Sequence, residues 1–149
     1  MQELAVFLAR FLIYVPLFAA FFLALKKKSF RLFFQIASSA LIVEIMSEVT
    51  KFIIPIKRPF EELGLPNPGV WIPLSENSFF SSHTGVAFAI GAVLWPRNKV
   101  LSLLCFGFGG VVGVLRVIIK VHYPLDIAGG AVIGTLIGFM MTKVVTIKD

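Results

Sequence analysis

The length of its apolar runs constrains this chain more than any other feature. Five runs, at 4–25, 30–56, 80–96, 100–119 and 123–145, are separated by basic or proline-containing connections, of which only that at 57–79 is long. Crossing the roughly 30 Å hydrocarbon layer of a bilayer takes about 20 helical residues. The pattern predicts an all-α fold, a polytopic membrane helix bundle of about five transmembrane helices. Composition agrees: 58% of residues are hydrophobic and only 15% charged, with a mean hydropathy of +0.92, more than a water-soluble core requires.

Residues 1–149 read as one domain, without internal repeats or a separate soluble part. The N-terminal run follows Met1-Gln2-Glu3 without the basic flank of a signal peptide. It continues from Leu4 to Leu25 without a small-residue cleavage site, and so reads as a retained helix. The glycine-rich pieces Gly107-Phe108-Gly109-Gly110 and Gly129-Gly130 fall inside runs, where small residues allow close helix approach. Cys105 also lies in an apolar run, makes no intrachain disulfide and packs as a small hydrophobe. The formal charge of +6 does not indicate nucleic-acid binding, because the basic residues lie between apolar segments without an aromatic–basic RNA motif.

Those basic residues predict orientation instead. Lys26, Lys27, Lys28 and Arg31 occupy the first connection, Arg97 and Lys99 the third, and Lys143 and Lys148 the C-terminal end. The positive-inside tendency makes all three places cytoplasmic. The N-terminus, the 57–79 loop and the 116–123 connection then face outward, the C-terminus is cytoplasmic, and the cell (inner) membrane is the expected location. Pro59, Pro66, Pro68 and Pro73 with Gly64 and Gly69 make the 57–79 loop a compact excursion, with Trp71 as an interfacial anchor.

An outer face should be poor in cations, yet this one holds Lys51, Lys57, Arg58, Arg116 and Lys120 beside both histidines, His83 and His122, and the acid Asp126. Three segments carry them. In the first, Lys51 and Arg58 stand seven apart, on one side of a helix if the helix continues through Pro55. Two such cations can neutralise a phosphate from two directions, with arginine gripping two oxygens; Lys57 reads as ordinary snorkelling. The second is Phe80-Ser81-Ser82-His83-Thr84-Gly85 at the start of the third run. Its serines can cap the helix, and the first-turn amides suit a phosphate. Capping does not call for His83, which can donate a proton to a departing oxygen. The third is Arg116-x5-His122-x3-Asp126. Pro124 suits a first helical turn, so Asp126 can reach back to the imidazole, fix its tautomer and leave its other nitrogen free to attack phosphorus.

These segments resemble the signature of the type-2 phosphatidic acid phosphatase and vanadium haloperoxidase superfamily: K-x6-R-P, then P-S-G-H, then S-R-x5-H-x3-D. The resemblance covers about 44–140. It implies a phosphohistidine mechanism with neither metal nor cofactor. Lys51, Arg58 and Arg116 would bind phosphate, Ser81 and the Ser82 amide would assist, and His83 would protonate the leaving group. His122 would be the nucleophile and Asp126 its partner. The chain departs from the signature at Phe80 for proline, Ser82 for glycine and Leu115 for serine, none of which removes a charged or proton-transferring group. Family members commonly have six spans, one more than expected here.

Glu44, Glu48 and Lys51 can share one face of the second span. An ion pair of Glu48 with Lys51, or a helix–helix contact, is preferred to headgroup selection, and Arg10 reads as snorkelling outward. The expected function is a lipid phosphatase with its active site at the extracytoplasmic ends of the helices, acting on a lipid phosphate drawn from the surrounding membrane lipids. Undecaprenyl diphosphate comes first, with phosphatidate or phosphatidylglycerol phosphate next. A lipid phosphotransferase using the same site is the alternative, and a non-enzymatic membrane protein, such as a small transporter or assembly partner, the third reading. Vanadium haloperoxidases share the pocket but are soluble. Oligomeric state stays open.

Overall fold

Two prolines decide where the first two helices break. In the computed structural model, which describes residues 2–69 and 77–144, the first apolar run is not one rod. It forms α1 (Gln2–Phe11) and α2 (Tyr14–Lys26). Pro16 has no N–H to offer the Leu12 carbonyl four residues back, and its ring crowds that carbonyl; the Val15 amide takes it instead at 3.2 Å. The chain turns at Leu12-Ile13 and resumes, and Glu3–Lys26 together remain long and apolar enough to cross a membrane.

The next helix, α3 (Phe30–Ile53), is capped by Ser29, whose hydroxyl accepts from the Leu32 amide at 3.1 Å. It ends just before Pro55, with Ile54 extended (φ −110, ψ 94) as a residue preceding proline prefers. The helical continuation from Lys51 to Arg58 therefore does not form. A four-residue helix, α4 (Pro59–Glu62), follows. After it come α5 (Ser82–Leu94), α6 (Lys99–Ile118, capped by the Asn98 side chain) and α7 (Pro124–Val144). Trp71, expected at the interface, lies outside the described residues, as do Pro73 and Lys148.

Four helical stretches are long and apolar enough to span a bilayer: Glu3–Lys26, Phe30–Ile53, Lys99–Ile118 and Pro124–Lys143. The helix in the third run, α5, has only 13 residues, about 20 Å at 1.5 Å per residue. It is the centre of the bundle, packed on α3, α6 and α7, with Ala87, Ala89, Ile90, Ala92, Val93 and Leu94 wholly buried.

Its tightest partner is α7. A Cβ at Gly130, Gly134 or Gly138 would be driven into the carbonyl oxygen of Ser81, Gly85 or Ala89 respectively. Glycines four apart on α7 thus rest on carbonyls four apart on α5, which fixes the register of the two helices. Close packing also explains Gly109, against Ala87 and Phe88, and Gly129, against Phe79. It does not explain Gly107 and Gly110, which face open space. Cys105 is buried in the apolar cluster of Ile36, Ile90 and Leu94.

At the basic end of the bundle, the fully buried Gln35 donates to the Met141 carbonyl at 3.0 Å and accepts from Arg97. This ties α3, the α5–α6 turn and α7 together. The opposite end gathers the C-termini of α3 and α6 and the N-termini of α5 and α7.

Candidate active site

The connection that carries His122 is a helix-ending turn with both of its bonds in place. Lys120 adopts a left-handed conformation (φ 60) just past α6. Its amide donates to the Val117 carbonyl at 2.9 Å, and the Val121 amide to the Arg116 carbonyl at 3.0 Å, the paired pattern of a Schellman ending. The His122 amide also reaches the Arg116 carbonyl, at 3.3 Å. The turn therefore sets Arg116 and His122 in one rigid unit.

Two outward carbonyls of this turn hold the loop. The Phe60 amide donates to Lys120 at 2.9 Å, and an Arg58 guanidinium nitrogen to Val121 at 3.2 Å. The Arg58 amide in turn donates to Glu61 Oε2 at 3.2 Å. Arg58, which a straight helix would have carried past the site, is returned to it by the loop and is 2% exposed.

Pro124 opens α7, and Asp126, two residues on, turns its carboxylate back. Its Oδ2 accepts from the Tyr123 amide at 2.8 Å and meets His122 Nδ1 at 3.2 Å. Asp126 is thus at once the cap of its own helix and the orienting partner of the imidazole. Its backbone carbonyl accepts from the Ser81 amide at 3.1 Å, binding the starts of α5 and α7. Nδ1 is engaged with the carboxylate, which leaves Nε2 as the other ring position.

His122 is almost completely buried. Burial pushes its pKa well below the usual histidine range, and the charges of Arg116, Arg58 and Lys51 push it the same way, against a smaller opposing pull from the Ser78 carbonyl. This favours the neutral imidazole at neutral pH. Burial likewise lowers the Arg58 pKa, against the pull of Glu61 and Asp126.

Lys51 is 3% exposed and pairs with Glu48 at 2.7 Å, as the spacing of the two suggested. Arg116 is 6% exposed; one guanidinium nitrogen reaches the Ala9 carbonyl of α1 at 3.4 Å, while its buried Nε has no hydrogen-bond partner. His83 stands on the first turn of α5, half-buried, within electrostatic reach of Arg116, His122, Lys51 and Arg58. Together with Arg116, Glu44 and Arg10 it lines a cavity of about 330 Å3.

Ser81 precedes α5 without a capping bond from its side chain, contrary to expectation. Its hydroxyl accepts from Thr84 at 3.3 Å. Ser82 is buried at the first helical position. Two departures from the motif have packing roles: Phe80 is fully buried in the apolar cluster with Val43, Ala89 and Ile137, and Leu115 packs with Ala9, Ile119 and Val121, against α1.

Sequence reasoning passed over several supporting groups. Asn77 donates to the Lys51 carbonyl at 2.9 Å, the fully buried Ser78 donates its amide to the Ile56 carbonyl at 2.8 Å, and Ser47 donates to the Phe80 carbonyl at 2.9 Å. The polar pair just before the Phe79-Phe80 segment was the available signal. Tyr123 donates to Glu62, a bond that pushes the phenol up to about 12. Lys57 is exposed. Among the described residues no group of three or more His, Cys, Asp or Glu side chains could hold a metal ion. The charges that do gather are mostly cations around a neutral imidazole, which suits an anion.

A family model described as the PAP2 superfamily matches residues 28–148. The chain is 34% identical over 96 residues to a bacitracin transport permease protein BcrC of Bacillus licheniformis, covering 64% of this chain and 46% of that protein. It is 35% identical over 69 residues to an undecaprenyl-diphosphatase BcrC of Bacillus subtilis (strain 168), covering 46% of this chain and 36% of that protein. These matches span less than half the length of either curated relative. No solved structure matches the chain.

Proposed function

The chain belongs to the PAP2 superfamily, and on that footing we propose that it is an integral-membrane hydrolase removing phosphate from a lipid phosphate or diphosphate. Undecaprenyl diphosphate is the first substrate, supported by the activity named for one relative. The single domain crosses the cell membrane five times, the short α5 completing its crossing with the residues that flank it in the 80–96 run, with the N-terminus outside and the C-terminus cytoplasmic. Basic residues at one end of the bundle support that orientation, which makes the opposite end, and the site, extracytoplasmic.

One observation carries the reading. His122 is held through Nδ1 by Asp126 beside Arg116, whose buried Nε lacks a partner in the protein. A buried unpaired donor is costly, and a phosphoryl oxygen would satisfy it. In the reaction His122 Nε2 attacks phosphorus. Asp126 steadies the ring as positive charge develops, while Arg116, Arg58 and Lys51 spread the charge on the phosphoryl oxygens. Ser81 and the Ser82 amide assist there. His83 protonates the departing oxygen, and water then hydrolyses the phosphohistidine.

The test is inorganic phosphate release by the detergent-purified protein from undecaprenyl diphosphate and from phosphatidate, with a chelator present, against His122→Ala. Release that vanishes in a folded variant supports the reading and ranks the substrates. Release undiminished by the substitution, or none from wild type, overturns it.

A further inference from the structure

Arg10 is the cation that the phosphatase motif leaves unexplained. It lies within the first apolar stretch, where an unpaired charge facing lipid is expensive and marks a functional position. The match to the family begins at residue 28, so α1 and α2 fall outside what the family model describes. Among the described residues Arg10 has no carboxylate partner; its guanidinium lies 5.3 Å over the Phe11 ring. Rather than only snorkelling, it lines the same cavity as His83 and Arg116.

The position within that cavity matters. In the proposed reaction His122 Nε2 approaches the phosphorus from one side, so the leaving group departs on the other, where His83 would supply its proton. The cavity on the His83 side is therefore the leaving-group side. Its wall on α1 and α2 is Arg10, Ile13, Tyr14 and Leu17, with Val86 from α5: one cation followed by an apolar strip. The volume of about 330 Å3 is at the small end for ligand pockets. It has room for a polar group and the start of a tail, the remainder of which would lie in lipid.

We infer that Arg10 is a specificity-determining residue that holds the inner phosphate of a lipid diphosphate and so favours diphosphates over monophosphates, an inference that rests on the phosphatase reading above. In a diphosphate the bond that breaks joins the terminal phosphorus to the bridging oxygen. The new bond joins that phosphorus to His122 Nε2, and the leaving group is a lipid monophosphate, which takes its proton from His83. The charge building on that phosphate is what Arg10 stabilises. A monophosphate presents only an alcohol and its tail at this place, leaving Arg10 nothing to bind. Glu44 is the one acid on the cavity wall.

The test compares phosphate release from farnesyl diphosphate and farnesyl monophosphate, identical in tail, by the full chain in detergent. Wild type, Arg10→Gln, Arg10→Lys and His122→Ala are measured. The ratio of kcat/KM for diphosphate over monophosphate should fall about tenfold in Arg10→Gln and by less in Arg10→Lys, which retains the charge. An unchanged ratio in Arg10→Gln, whether or not both activities drop, overturns the inference while leaving the phosphatase reading intact. Release that persists in His122→Ala, or its absence in wild type, overturns that reading and the inference with it.

Discussion

Gly134 of α7 lies directly against the carbonyl of Gly85 in α5, so closely that a Cβ at Gly134 would overlap it. One turn away, Gly130 makes the same approach to Ser81, whose amide is bonded to the Asp126 carbonyl. The seat that packs the two helices also aligns the serine segment with the His122–Asp126 pair.

Gly134→Ala should therefore force α5 and α7 apart and destabilise the protein by about 1–3 kcal/mol, the usual cost of overpacking. Turnover should fall with it. Gly110→Ala is the control, because a Cβ there meets nothing within 4 Å and removes a poor helix former. Thermal unfolding in detergent checks both, and equal melting temperatures for the two variants would count against the glycine seat.

Asp126→Asn should lower kcat by about two to four orders of magnitude with KM changing only a few-fold. In the proposed reaction the carboxylate, 3.2 Å from Nδ1, sets the tautomer of His122 and takes no part in the cation cluster. Comparable losses in kcat and KM would assign Asp126 to substrate binding instead.

The neutral state of His122 has a pH signature. The folded pKa is depressed, first by burial and then by Arg116, Arg58 and Lys51. The neutral form, the one the proposed attack requires, thus persists below pH 6.5 and is lost only as pH falls through the lower folded value. Because the chain has only two histidines, His83→Asn leaves one imidazole for an NMR titration. Its midpoint should lie below 6.5; a midpoint at or above that value would contradict the electrostatic account.

Lys120 holds a left-handed conformation that glycine adopts without a steric penalty. Lys120→Gly should raise stability by about 0.5–1 kcal/mol in thermal unfolding, since the Schellman bonds need only the backbone. A lower melting temperature would mean that the lysine side chain contributes more than its conformation costs.

Arg58→Lys should raise KM about tenfold, since an ammonium cannot replace the planar fork that bonds the Val121 carbonyl and, in the proposed reaction, grips the phosphate. Michaelis curves with either lipid decide it, and an unchanged KM would reduce Arg58 to a tether for the loop.

Much of the candidate site's local geometry was legible because its determinants are local. Asp126 reaches His122 because the two stand four apart across a helix start that Pro124 marks. Glu48 and Lys51 pair because they are three apart on one helix. Arg58 is different: its return depends on a loop bonded to Lys120 and Val121, residues about 60 positions away in the chain.

The sequence by itself determined the apolar runs, the proline-set helix ends and the order of charged groups, because hydropathy, missing amide donors and helical spacing act over a few residues. Only the tertiary structure decided that α5 is central and short, that Phe80 and Leu115 pack in cores, and that Arg116 keeps an unpaired nitrogen beside a cavity shared with Arg10. Those outcomes depend on backbone contact between distant glycines and carbonyls and on the bend of α1 against α6. Spacing along one segment carries no information about which distant segment it will touch.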